Sequence, residues 1–456
     1  MAYLFLIPGL ISLFYVIQGK QSKAFLNVYL PCTLLLPYYY HFRIPHLPPL
    51  SAGDAALVPL GLSLLFKPKV AWKFKRMDLW VLIFVISYGI SEVTKDYVPK
   101  DGMIQWMQVG FCEMFLGYIV GRQVIEPELR LETVKRIVFL FMAQTLFAFY
   151  EFRFGVNLWL NWGRSIFGLT DVGWFVQLRG GTARISTCFS GAIGAGMAFM
   201  ICAALNYYLV QIYKFNKTGL GPRMSKLQKY RLPFLLLPLF VYMTGSRMPM
   251  ACSVLAFLIL QIPRFKSIRT GMIVIVLIAG IGAGAVYAYF QKYTAAPEND
   301  QMDEAQTSAI YRKDLLVNYA PILAAGGLIG WGSLNPPLVI GQSSIDNGYM
   351  LVQLAQGNLG LWTFKLIVFD SVFTLFMFAI KFKSRESQFL VFSLMGALIG
   401  VFVSLTTVGM GEQMTQFIFL LVGWSQSLQD TYALRTDAAT VNLGPEPKFR
   451  FRRVIA

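Results

Sequence analysis

Charge is what this chain has least of. Only 14% of its 456 residues are Asp, Glu, Lys or Arg, against 56% that are hydrophobic, whereas a water-soluble domain carries roughly 25% charged residues. So little charge does not clothe a surface in water, and the mean hydropathy of +0.56 agrees; most of the exterior is expected to face lipid. Histidine is scarcer still. His41 and His46 are the only two, which argues against a histidine-rich metal centre. The five cysteines, Cys32, Cys112, Cys188, Cys202 and Cys252, stand singly in or beside apolar runs. They form no CxxC pair and no disulfide framework, and read as small packing residues. Acid is also short, with 23 Asp and Glu against 40 Lys and Arg, a net charge of +17. Such a surplus can signal nucleic acid, but here the basic residues fall mostly in short loops between apolar runs, where membrane topology selects them. A bilayer with anionic head groups is the expected partner, and nucleic acid is not. The start at Ala2 has neither a basic leader nor a small-residue cleavage site, so it reads as a retained first helix.

Apolar length is what the chain does have. Runs fall at about 2–18, 24–41, 50–66, 79–93, 104–121, 137–152, 189–213, 232–246, 248–263, 272–290, 358–380, 388–409 and 414–427. A span takes about 20 residues, so the expected fold is an all-α polytopic bundle of about 12 to 14 transmembrane helices. Residues 1–429 form one transmembrane domain, with no room for a separate catalytic one, and 430–456 form a basic, mobile tail. KPKVAWKFKRMD, KFNKTGLGPRMSKLQKYR, RFKSIR and KFKSRES all follow odd-numbered runs, and the tail ends KFRFRR. One assignment places all of them in the cytoplasm, with the N-terminus outside and the C-terminus inside. The long stretches 153–188 and 291–357 then lie outside. No internal repeat, no heptad, no pair of pseudo-symmetric halves and no broken span is visible.

Three arginines stand out by position. Arg247 in TGSRMPM sits at the turn between two runs, Arg184 in GGTARISTCFSG lies just before a run on the same face, and Arg312 in SAIYRKDLL falls in the late exterior stretch. Charge at membrane depth is costly and usually marks a site or a pair; the plainer reading is an arginine snorkelling to lipid phosphate. Several guanidiniums at one membrane face suit a diphosphate, which they grip in a fork and stabilise as it leaves.

The same exterior stretch holds PILAAGGLIGWGSLNPP, with Gly326, Gly327, Gly330 and Gly332 permitting close turns, and then SSIDNGYMLVQLAQGNLGL. Asp346 is the only carboxylate between Asp314 and Asp370. It suits either proton abstraction from an attacking hydroxyl or an N-cap for the helix that follows; Asn347 and Tyr349 are polar neighbours. Within the runs, Glu113, Lys365 and Asp370 are buried charges. Lys365 and Asp370 lie roughly 140° apart on one helix, too far round to pair. Glu412 lies near the outer face. Trp159, Trp162, Trp174 and Trp331 suit either stacking on sugar rings or an interfacial aromatic belt.

Taken in order, ARISTCFSGAIGAGM at the start of a span, TGSRMPM at an outer turn, IYRKDLL with its glycine stretch, and DNGYMLVQLAQGNLGL re-entering the membrane resemble the O-antigen ligase and O-antigen polymerase superfamily of bacterial polysaccharide assembly. The likeness covers about residues 180–410. It implies a GT-C-like fold in the inner membrane and inverting, metal-independent transfer from an undecaprenyl-diphosphate-linked glycan, with no cofactor. Arg184 and Arg247 match the arginines that bind the diphosphate in that family. Asp346 stands where ligases usually carry a histidine before Asn and Tyr, which fits the polymerase branch. The expected activity is therefore a polymerase, acting on a sugar hydroxyl of another lipid-linked repeat unit alongside other polysaccharide-assembly proteins. Asp346 would be the base or would orient the acceptor, Arg184 and Arg247 would hold the leaving group, and Arg312, Asn347 and Tyr349 would line the substrate. A ligase passing glycan to lipid A core or protein, and a flippase of the lipid-linked oligosaccharide, are the alternatives.

Overall fold

The computed structural model describes residues 2–43, 46–95, 99–169, 175–215, 223–295, 304–342, 344–382 and 384–441. The first half is built from α1 (Ile7–Ile17), α2 (Gln21–Ala24), α3 (Leu30–Leu35), α4 (Ala52–Phe66), α5 (Arg76–Lys95), α6 (Pro99–Gln105), α7 (Gly117–Val124), α8 (Pro127–Phe154) and α9 (Leu158–Phe167). The second half holds α10 (Ala192–Phe215), α11 (Arg223–Met243), α12 (Arg247–Ile259), α13 (Ile268–Thr294), α14 (Glu304–Ala325), α15 (Gly348–Lys381), α16 (Arg385–Ser404) and α17 (Glu412–Val441). Sheet among the described residues is confined to two tiny hairpins, His41–Phe42 with Leu50–Ser51 and Leu178–Arg179 with Thr182–Ala183.

Six of these helices (α5, α8, α10, α13, α15 and α16) are long and apolar enough to cross a membrane, and shorter apolar helices lie at Tyr3–Ile17, Ala52–Phe66 and Tyr230–Met243. The chain is all-α and has the helices of a multi-pass membrane protein. Fewer uninterrupted spans appear among the described residues than the apolar runs suggest. Wider π-type turns at Phe25–Tyr29 and Trp106–Leu116 break two runs into pieces, and α12 stops after 13 residues.

The connections sort into two ends. At the basic end, Lys69 reaches Ser22 and Glu126, Arg130 donates to Ser427 O, and Arg136 donates to Asn27. Two ion pairs close this end: Arg122 with Asp78, both buried, and the exposed Arg76 with Asp370 at 3.0 Å. Asp370 thus pairs with another helix, while Lys365 lies over the Trp362 ring at 4.6 Å; the two do not meet, as their spacing required.

The opposite end is more built than its composition suggested. The stretch 153–188 contains α9 and the second hairpin, and 291–357 contains α14. Helix α14 forms because Leu315, Tyr319, Ile322 and Leu323 recur at helical spacing and pack on Met350 and Leu354 of α15. α15 begins at Gly348, ten residues before the apolar run, and α17 continues to Val441, past the expected start of the tail at Asp430. The remaining tail residues, 442–456, lie outside the described residues.

α15 is broken, against the expectation of unbroken spans. Gly357 adopts φ 65°, ψ −159° inside it, a conformation essentially reserved for glycine. At 1.5 Å per residue the break lies about 14 Å from the helix start. Backbone freed at such depth must find partners within the protein, and the glycine-rich segment supplies them. Trp331 N donates to Leu354 O and Gly332 N to Ala355 O, while Asn358 N and Leu359 N donate to Gly327 O and Leu328 O. From α5, the Ser91 hydroxyl also donates to Ala355 O.

Candidate functional site

The turn between α11 and α12 is held by arginines from the preceding hairpin. Gly245, at φ +61°, lets the chain reverse, and Arg184 packs against it. The Arg184 guanidinium donates to Thr244 O (3.0 Å), Ser246 Oγ (2.9 Å) and Gln177 Oε1 (2.7 Å). Arg179, which sequence reading passed over, donates to Gly245 O at 3.0 Å. The next residue after this braced turn is Arg247. It is exposed and has no hydrogen-bond or ion-pair partner among the described residues. It is also the first residue of α12, whose N-cap Ser246 makes no side-chain cap. An uncapped helix N-terminus carries free N–H groups and partial positive charge. Guanidiniums and helix end together favour an anion here.

A buried carboxylate fixes the loop that carries Arg184 into α10. Glu151, 1% exposed on α8, accepts from Ser186 N (3.1 Å), Ser186 Oγ (2.8 Å), Thr187 N (2.8 Å) and Asn157 Nδ2 (2.9 Å). Next along the loop, burial pushes the Cys188 thiol up to about 12, which keeps it unreactive.

Cavities run from this turn along the same end of the bundle. One of about 130 Å³ is lined by Arg184, Gln177, Ser186, Ser190 and Gly191. A second, about 200 Å³, shares Ser190 and Gly191 and reaches Gly409, Gly411 and Gln413. A third, about 230 Å³, takes in Met410 and Thr415 and extends past Gly348 to Tyr88, Gln105, Ser333 and Gln356. A further cavity of about 470 Å³ lies at the basic end between α8 and α11, bordered by Lys135 and Arg136. It contains none of the residues singled out from sequence.

Asp346 lies two residues before Gly348. It accepts from Ser344 Oγ at 3.1 Å and faces Arg312 at 3.8 Å, both partners being about one-third exposed. The Tyr311 hydroxyl of α14 in turn donates to Ser344 O and accepts from Ser344 N, so the α14 side positions the carboxylate. The N-cap reading of Asp346 fails, because Asn347 takes that role: its side chain accepts from Met350 N at 3.1 Å. Asp346 is thus left outside the helix. The Tyr349 hydroxyl donates to Phe402 O at 3.1 Å, and Gly348 N donates to Leu405 O at 2.7 Å; these two bonds lock α15 to α16.

The structure therefore brings Arg184 and Arg247 together on one turn, and Arg312 and Asp346 together on another. Among the described residues, Asp346 touches Arg312 and Ser344 rather than Arg184 or Arg247, and neither Asp346 nor Arg312 lines any of these cavities. Asn347 and Tyr349 serve the backbone. Trp331 donates its indole N–H to Ile322 O, and Trp159 and Trp162 pack edge-on against each other and both against Phe147; none of these three lines the cavities. Trp174 and the Glu412 side chain lie outside the described residues. Glu113 is fully buried in the π-type segment. Sequence reading missed Arg179, Glu151, Tyr88 and Gln356. The LRGGTAR hairpin pattern was the one available signal, and it pointed to Arg179. No protein-family model matches the chain, and no curated protein matches it.

Proposed function

We propose that this protein is a GT-C-like membrane glycosyltransferase that polymerises a lipid-linked glycan at the non-cytoplasmic face of a bacterial inner membrane. The donor is an undecaprenyl-diphosphate glycan, and the acceptor is a sugar hydroxyl of a second lipid-linked repeat unit. One observation carries the reading: Arg184 is spent on bracing a turn that presents Arg247, exposed and unpartnered, at the uncapped start of α12. That arrangement suits a diphosphate, whose charge grows as the glycosidic bond breaks and is best stabilised by donors already in place. Asp346 is the base or acceptor-orienting group, with Arg312 holding it. Transfer inverts the anomeric centre and uses no metal or cofactor. Reconstituted protein given the donor lipid should lengthen glycan chains, and Arg247→Ala should abolish lengthening while the protein still inserts. Normal chain length in that variant would remove the arginine from the reaction. Purified lipid A core or protein offered as acceptor separates polymerase from ligase.

The break in α15 favours a second reading, a flippase, because discontinuous helices hold substrates at mid-membrane in transporters. A matching break in another long span, which that architecture expects, is absent among the described residues. Movement of the oligosaccharide lipid between leaflets with no change in covalent linkage would establish this alternative.

A further inference from the structure

The cavity beside the α15 break differs in chemistry from the arginine turn. Among the described residues no charged side chain lines it, so none of them offers a phosphate a cation to pair with. Its polar lining is amide, phenol and hydroxyl: Gln105, Gln356, Tyr88, Ser333 and Thr415. Tyr88 Oη lies 3.0 Å from Ser333 Oγ and accepts from Gln105 Nε2 at 3.4 Å. The Ser87 hydroxyl donates to Gln356 Oε1 at 3.1 Å, which fixes that amide. Two atoms are then left over. Gln356 Nε2 and Gln105 Oε1 have no partner among the described residues, and Gln356 is only 2% exposed. Amide groups left without a partner beside a cavity are satisfied by a ligand that bears hydroxyls. Val109, Met114 and Leu351 form the apolar part of the wall, suited to the C–H face of a ring. At about 230 Å³ the space is smaller than the usual ligand cavity of about 300 Å³ and upward, and fits a single ring rather than a chain.

We propose that this cavity binds one neutral sugar ring and is the acceptor-saccharide subsite; the second half of that statement rests on the glycosyl-transfer reading above. The sugar donates to Gln105 Oε1 and accepts from Gln356 Nε2; it is a ring of the acceptor glycan set back from the attacking hydroxyl, which itself must reach the donor's anomeric carbon beside the leaving diphosphate. The glycine-rich segment and the α15 break form the pocket wall, which explains why a costly helix interruption is kept at this depth.

The test uses the full chain in lipid nanodiscs and a phosphate-free oligosaccharide, cut from the host's surface polysaccharide and carrying a photoactivatable diazirine. Label should fall on the peptides that contain Gln105 and Ser333. It should drop about tenfold in Gln105→Leu, the effect of one good hydrogen bond, and drop likewise in Ser333→Ala, while Arg247→Ala leaves it unchanged. Label at the arginine turn, or label indifferent to both pocket substitutions in folded protein, overturns the proposal. Donor lipid is supplied in a separate arm. Pocket labelling without any transfer keeps the sugar site and discards the reaction; transfer with normal acceptor dependence in both pocket variants keeps the reaction and discards the site.

Discussion

Gly330 and Gly357 lie back to back: a Cβ built on either would stand under 3.0 Å from the backbone nitrogen of the other. Both have positive φ, 83° and 65°. The glycine loop and the broken helix are therefore one device, closed by the four backbone hydrogen bonds between 327–332 and 354–359.

Gly357→Ala should disrupt that device. The new methyl meets backbone that does not swing aside, and the residue needs a conformation costly for any L side chain; together these cost on the order of 3 kcal/mol. Thermal unfolding in detergent should show a clear drop in Tm. Gly282→Ala on α13, where nothing lies within 4 Å, should leave Tm unchanged or slightly raised, since alanine is the better helix former.

The bundle was legible in the sequence because apolar length and loop charge are local properties. The α15 break was not, since Gly357 in AQGNLG looks like any small residue inside an apolar run until Gly330 is brought against it. The arginine turn was half legible. Arg184 and Arg247 drew notice for charge in apolar surroundings, but nothing in their spacing says that one braces the turn bearing the other. Glu151 escaped notice because its partners, Ser186 and Thr187, lie 35 and 36 residues away. Asp346 looked like a cap because capping residues are recognised by type, and here two capping types stand side by side.

The two arginines should separate by experiment. Arg247→Ala should leave Tm unchanged and reduce transfer by about 10²- to 10³-fold, the usual scale for one lost oxyanion-stabilising donor. Arg184→Ala should reduce transfer and also lower Tm, because the Thr244 carbonyl and the Ser246 hydroxyl lose their donor. Equal Tm losses in the two variants would contradict the division of labour.

Glu151→Ala should be the most damaging substitution in the loop before α10. It leaves the backbone N–H groups of Ser186 and Thr187 buried without an acceptor, at about 1 to 3 kcal/mol each. The expected outcome is poor accumulation of the protein in membranes, with Glu151→Gln partly restoring it, because an amide oxygen still accepts. Quantitative immunoblotting of membrane fractions would decide.

Asn347 and Asp346, although adjacent, should respond oppositely. Asn347→Ala removes a helix cap, worth about 1 kcal/mol, and should lower Tm with a modest effect on transfer. Asp346→Asn removes a one-third-exposed carboxylate that caps no helix, and should keep the unfolding free energy within about 0.5 kcal/mol of the parent while sharply reducing transfer. If Asp346→Asn transfers normally, the base is another group.

Orientation can be read chemically, because the native thiols are quiet. Four of the five cysteines are buried and Cys32 is half-buried. Maleimides react with thiolate, and a thiol at about 12 such as Cys188 holds only about one part in ten thousand as thiolate at pH 8. Raising the pH toward 12 would expose it, so labelling belongs well below that. A cysteine placed at 247, exposed and unpartnered, should then dominate the signal. With a membrane-impermeant maleimide on intact spheroplasts, Arg247→Cys should label fully, whereas a cysteine at Lys135, in the first turns of α8 at the basic end, should label only after lysis. The reverse pattern would put the arginine turn in the cytoplasm, where the exterior face of a lipid-linked glycan is out of reach, and the transfer chemistry proposed for this end of the bundle would fall.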